Sequence, residues 1–296
     1  MSESCAPKSA RRRRHLRLGA AVAAAALIPL GIATAASATT GSTSPSIAGL
    51  NPDRGTVPAG YHPQQDYLGS QIAKHTAGTK DIVIKPDAVQ TPGLDVSGYQ
   101  GNVDWATVAA NGAKFAYVKA TENTNYQNPY FSQQYTGSYN AGLKHGAYHF
   151  AIPNGPSAVA QADYFVAHGG GWSQDGMTLP PMLDIEYNPY GATCYGLSQS
   201  SMVNWIGAFI NEVHAKTTRW ATIYSNLDWW TQCTGNSGAF TGNNPLFVAR
   251  YASSPGTLPG GWGFYTFWQF ADSGTFPGDQ DVFNGDTSRL LALCNG

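Results

Sequence analysis

The sequence predicts an α/β fold: an irregular TIM-like β/α barrel of eight strands with a helix-poor second half. Three observations lead there. From Pro92 onward, short β-rich segments alternate with helix-period stretches, the pattern of parallel β-α units. Eight such segments fit into about 205 residues, which is compact for an eightfold barrel. No Gly-rich fingerprint follows the first of them, which argues against an open nucleotide-binding sheet.

The expected strands, in order, are 93–96, 115–119, 146–150, 181–186, 221–224, 246–250, 264–270 and 281–283. Each is a short run rich in β-branched, aromatic or aliphatic residues between Gly, Pro, Asn or Ser punctuation. Helices are expected at 105–110, 128–141, 157–167 and 198–216. The last repeats Met202, Trp205, Ile206, Phe209, Ile210 and Val213 at helical period. After the fifth strand the spacing tightens, and loops are expected in place of helices.

The first 38 residues read as an export signal. Arg11 to Arg14 and Arg17 form a basic start, an Ala-rich apolar stretch follows, and Ala36-Ser37-Ala38 offers an A-x-A cleavage site. A membrane anchor is the competing reading, but the apolar core is short and ends in small residues. Arg13-Arg14 also fits a twin-arginine signal, so the export route stays open. Residues 39–91 have no sustained periodicity beyond a short helical stretch at 67–74. They read as a disordered linker or pro-segment, with no pattern marking a specific inhibitor. The folded domain is placed at 92–296.

The chain has 17 Lys+Arg and 18 Asp+Glu; residues 1–38 hold six of the former and one of the latter, so the exported part carries a formal charge of −6. No basic patch remains for a phosphate backbone. Eight Trp and sixteen Tyr in a neutral-polar background suit a protein that stacks on sugar rings, although most aromatics in any domain are core. Cys5 leaves with the signal, and the remaining three cysteines allow one intramolecular disulfide. Cys194–Cys233 is expected, since both are read as sitting in loops rich in Gly, Asn and Thr that could meet on one rim, with Cys294 left over. None has zinc-type spacing.

The chemistry concentrates in LPPMLDIEYNPYG, residues 179–191. Asp184 and Glu186 stand at i, i+2, so on a strand they point to one face. Two acids at the end of a buried strand repel each other and lose hydration, which keeps one protonated near neutral pH, as glycosidic cleavage requires. In a parallel barrel, functional side chains gather at the C-terminal strand ends. Asp95 on the first strand and Asp281 on the eighth are expected beside each other there, facing the central pair. So many acids in one mouth imply chemistry or a metal. The metal reading is weaker, because only His149 lies near these motifs and no alternating Asp/Asn calcium loop is present.

The runs GLDVSGYQGNVDW, AYVKATEN, GAYHFA, PPMLDIEYNPYG, IYSNLDWW, FVARY and FWQFADSG…DQDVFNG resemble, in order, glycoside hydrolase family 25, the Chalaropsis-type lysozymes that include secreted actinomycete N-acetylmuramidases. The resemblance covers the whole proposed domain. It implies a β/α barrel with a truncated second half that hydrolyses the β-1,4 bond between N-acetylmuramic acid and N-acetylglucosamine in peptidoglycan. It implies glycan strands as the partner and no cofactor, metal or nucleic acid. A monomer is expected, free of membrane once the signal is cut.

Carried over by position, the resemblance makes Glu186 the proton donor, with Asp184, Asp95 and Asp281 as further catalytic acids; Asp279 is the neighbouring alternative to Asp281. Tyr148, Tyr224 and Trp268 would line the sugar groove, and Glu122, in the loop after strand two, its rim. Asp184 would either position the substrate's own acetamido group, which is preferred, attack directly, or position water. A sugar-binding protein without activity would have lost the acids. A chitinase would carry further acids upstream of Asp184, where 177–183 has none.

Overall fold

The computed structural model describes His62, residues 64–75 and residues 89–296. The expected export signal, Cys5 and most of the expected linker lie outside the described residues. In chain order the elements are α1 (Ile72–His75), β1 (Gln90–Val96), α2 (Trp105–Ala110), β2 (Phe115–Glu122), β3 (Tyr126–Gln127), α3 (Phe131–Asn140), β4 (Lys144–Phe150), α4 (Ala158–Ala167) and β5 (Met182–Asp184). Then come α5 (Gln199–Thr217), β6 (Thr222–Ser225), α6 (Leu227–Thr234), β7 (Leu246–Ala249), a 3-10 turn (Pro259–Gly261), β8 (Phe267–Ala271), β9 (Asp279–Asn284) and α7 (Thr287–Asn295). Among the described residues, no helix is long and apolar enough to cross a membrane.

The sheet runs β1-β9-β8-β7-β6-β5-β4-β2, and β1 pairs with β2 to close it, so the expected eight-stranded barrel forms. β3 is a short return on β2. One expectation needs correcting: β9 is antiparallel to both β1 and β8. Residues 272–278 are too few for a crossover, which takes a dozen or more, so the chain can only turn back. The start of β9, not its end, therefore lies at the mouth.

The helices follow local signals. Asp104, Ser157, Ser198, Asn226 and Asp286 each cap a helix by accepting a backbone N–H three residues on. The second half is poor in helices, as expected, but α6 and α7 are additional to the predicted set, and Cys233 lies on α6 rather than in a loop. Outside the barrel, Met202, Ile206, Phe209, Ile210 and Val213 of α5 are buried with Ala162 and Phe165 of α4. Each large side chain covered there contributes about 1.5–3 kcal/mol. The Cys194–Cys233 disulfide forms, with Cα atoms 5.3 Å apart, and Cys294 is free and buried.

Inside the barrel an aromatic floor is packed from Phe115, Tyr117, Phe247, Phe267 and Phe283, with ring centroids 5.1–6.0 Å apart. Gly93 and Gly146 make room for it, since a Cβ on either would meet the Phe115 or Tyr117 ring at 2.4 Å. Stepping two residues along each strand keeps the same face. Gly93 thus leads to Asp95, Tyr117 to Lys119, Gly146 to Tyr148, Met182 to Asp184, Thr222 to Tyr224 and Phe267 to Gln269. On the reversed β9, Phe283 leads back through Asp281 to Asp279. A polar layer rests on an aromatic one.

Candidate active site

The barrel mouth brings together Asp95, Asp184, Glu186, Asp279 and Asp281, each at most 2% exposed. Register sets the β1–β9 side: Asp95 lies opposite Asp279, and Gly93 opposite Asp281. Both Asp279 and Asp281 face inward, with Asp279 level with Asp95 and Asp281 one layer deeper. β5 ends at Asp184. The backbone beyond it stays tied to the barrel, because Ile185 N–H donates to Tyr224 O at 3.1 Å. Glu186 follows within that same covered hollow.

Burial dominates the electrostatics. It holds the Asp95 carboxyl up to about 8, against a hydrogen bond from Gln269 that favours the charged form. Glu186 is likewise pushed up to about 8 by burial, opposed by backbone N–H groups of Gly69 and Gln71. Asp184 is raised well above the carboxylate range by burial and then by the charge of Glu186. Asp279 and Asp281 are raised by burial and by Asp95 beside them. The mouth can therefore keep a carboxylic acid protonated near neutral pH.

Gln269 holds this cluster together. Its Nε2 donates to Asp95 Oδ2 and Asp279 Oδ2, both at 2.8 Å, while its Oε1 accepts from Tyr224 Oη at 2.6 Å and Tyr251 Oη at 3.1 Å. On the far wall, Lys119 Nζ pairs with Glu122 Oε2 at 2.6 Å, and Tyr190 Oη lies 2.9 Å from Glu122 Oε1. Burial works against the Lys119 charge, but Asp66 and Glu122 outweigh it and raise its pKa.

Asp95, Asp184, Glu186, Asp281, Tyr148 and Tyr224 thus share one hollow. Glu122 ends β2 and is buried in the wall rather than standing on a rim loop. Trp268 is a correction. It faces away from Gln269, its indole N–H donates to Arg250 O at 2.9 Å, and its ring abuts Tyr265 and Phe270. Sequence reasoning missed Gln269, Tyr251, Lys119 and Tyr190. Period-2 alternation from Phe267, an inward aromatic, would have found Gln269 and excluded Trp268.

A family model for glycosyl hydrolases family 25 matches residues 94–279, from the strand that carries Asp95 to Asp279 itself. The chain belongs to this family. Lysozyme M1 of Streptomyces globisporus is 48% identical over 225 residues, covering 74% of this chain and 76% of that protein. The N,O-diacetylmuramidase of Chalaropsis sp is 50% identical over 208 residues, 69% of this chain and 99% of its own length. A solved muramidase from Acremonium alcalophilum superposes with a TM-score of 0.69 at 60% identity, covering 70% of this chain and 99% of its own.

Proposed function

We propose that this chain is an exported lysozyme, an N-acetylmuramidase that hydrolyses the β-1,4 bond between N-acetylmuramic acid and N-acetylglucosamine in peptidoglycan. The observation that carries the reading is Glu186, a buried carboxyl held protonated to about pH 8 beside Asp184, within a family whose relatives are named muramidases. Glu186 gives its proton to the glycosidic oxygen as the bond breaks. Asp184 positions the acetamido group of the muramic sugar, whose carbonyl oxygen attacks the anomeric carbon as the leaving group departs. Glu186 then takes a proton from the incoming water. Asp95 and Asp279, clamped by Gln269, with Asp281 beside Asp95, supply negative charge to the oxocarbenium-like transition state as they ionise. Residues 1–38 direct export, and the enzyme acts as a monomer on glycan strands, without cofactor, metal or nucleic acid.

Mass spectrometry of peptidoglycan digested in heavy-oxygen water tests the reading. The expected product is reducing-end muramic acid carrying the heavy label. Reducing-end glucosamine, or a label at a peptide bond, would refute it.

A further inference from the structure

The acids at the barrel mouth lie beneath a stretch of the chain's own N-terminal region. Gly69 N–H donates to Glu186 Oε1 at 2.7 Å, and Leu68 N–H donates to Tyr148 Oη at 3.2 Å. Leu68 O accepts from Gln269 Nε2 at 3.3 Å, and Gly69 O from Tyr251 Oη at 3.3 Å. Asp66 Oδ1 meets Lys119 Nζ at 3.0 Å, and its Oδ2 accepts from Tyr190 Oη at 2.7 Å. Leu68 and Ile72 are fully buried in the barrel core cluster. Tyr67 lies parallel to Tyr99 at 5.4 Å, and His75 lies on the Tyr187 ring at 3.9 Å.

We propose that residues 64–75 are a built-in peptide inhibitor. They hold the glycan groove shut in the full-length chain, with the Leu68–Gly69 peptide group standing where an amino sugar's acetamido group binds, and they leave once the chain is cut between residues 76 and 88. The proposal rests on the muramidase reading for the identity of the sugar it excludes.

Three features separate this from a segment draped by chance. A peptide group and an acetamido group present the same C=O and N–H; here the N–H is read by Glu186, the proposed acid, and the C=O lies 3.3 Å from Gln269 Nε2, a contact shared with the two aspartates. Gly69 has φ +80, and a Cβ there would meet Gln269 Oε1 at 2.4 Å, Tyr251 Oη at 2.5 Å and Tyr224 Oη at 2.9 Å, so the close approach requires glycine. Both Asp184 oxygens and Glu186 Oε2 are buried without a hydrogen-bond partner beneath the segment. Those acceptors suit a ligand with more donors than the segment offers.

The groove stays open on either side. A cleft of about 430 Å³ reaches from Tyr99 to Asp279, and one of about 510 Å³ lies between Asn154 and Tyr190. The segment fills only the middle, where the bond to be cleaved must sit. Lys80, in the connecting sequence, offers a site for a protease that cuts after basic residues.

The test uses the full chain carrying a site-specific protease sequence within 76–88. Uncut chain should release reducing ends from cell walls roughly tenfold or more slowly than chain cut after folding, since a tethered ligand acts at millimolar effective concentration. Uncut Gly69→Val chain should approach the cut rate. A synthetic 64–75 peptide should bind the cut chain and raise its KM while leaving kcat unchanged, whereas the same peptide with Gly69→Val should not bind. Equal rates before and after cutting, or a Gly69→Val chain as slow as its uncut parent, would overturn the proposal. Peptide binding to a cut chain that releases no muramic ends would refute the muramidase reading and leave the inhibitor standing; loss of that binding overturns the inhibitor.

Discussion

Tyr224 donates its hydroxyl to Gln269 Oε1 at 2.6 Å, which supports the amide orientation seen here. In that orientation the amide NH₂ faces Asp95 and Asp279, which lie 2.8 Å from it.

Replacing Gln269 by Leu leaves both carboxylates without that donor and frees them to move apart. kcat/KM should fall by about 10²-fold, the usual penalty for misplacing a catalytic group by an ångström. Tyr224→Phe keeps the amide but not its orientation, so it should lose about 1 kcal/mol of stability and show a smaller drop in rate. Steady-state kinetics on soluble wall fragments and thermal melts separate the two. A Gln269→Leu enzyme with parental kcat/KM would remove Gln269 from the machinery.

Glu186→Gln removes the proton while keeping an oxygen for Gly69 N–H. Activity on walls should fall roughly 10²–10⁴-fold, the contribution of a general acid. Because wild type must bury a charge above about pH 8 and the amide never does, the variant should melt higher than wild type at pH 9, with a smaller gap at pH 5. Circular dichroism melts at the two pH values check this, and an unchanged rate would dismiss Glu186 as the acid.

The segment over the mouth should loosen as pH rises. Glu186 and Asp95 hold their protons to about 8 when covered, and Asp184, Asp279 and Asp281 are raised in the same direction. Uncovered, they regain part of their hydration and move down toward the ordinary carboxylate range, with Glu186 still held above it by the barrel wall and the charge of Asp95. A carboxyl whose pKa is higher in the covered state favours the cover most below its uncovered pKa, and that contribution disappears as pH climbs through the covered value. Lys119, facing Asp66 and Glu122, remains charged throughout, and the hydroxyls of Tyr148, Tyr224 and Tyr251 remain protonated. Hydrogen exchange of residues 64–75 in uncut chain should therefore quicken between about pH 5 and pH 9, beyond the intrinsic base-catalysed rise.

Reducing Cys194–Cys233 opens a loop with a sequence separation of 39, which the chain-entropy account values at about 4 kcal/mol. Melts with and without reductant should differ by a corresponding downward shift. Cys294 should stay unlabelled by thiol reagents until the fold opens, since burial pushes its thiol up to about 12.

Much of the site was legible because it follows short-range rules. Alternation on a strand puts Asp184 and Glu186 together, and the barrel rule puts Asp95 near the last strand. Trp268 was misplaced because strand phase cannot be read from an all-apolar run such as FWQF, where both faces carry aromatic side chains. The level of Asp279 escaped because it depends on the direction of β9, which a short connection reversed.

Local periodicity and residue type were enough to give the alternating architecture, the disulfide pair and the type of chemistry. Closure of the barrel in three dimensions is what joins Asp95 to Asp279 through Gln269 and sets Gly69 on Glu186. Residues separated by 117 positions meet through barrel closure, and no local pattern in either one encodes the distance between them.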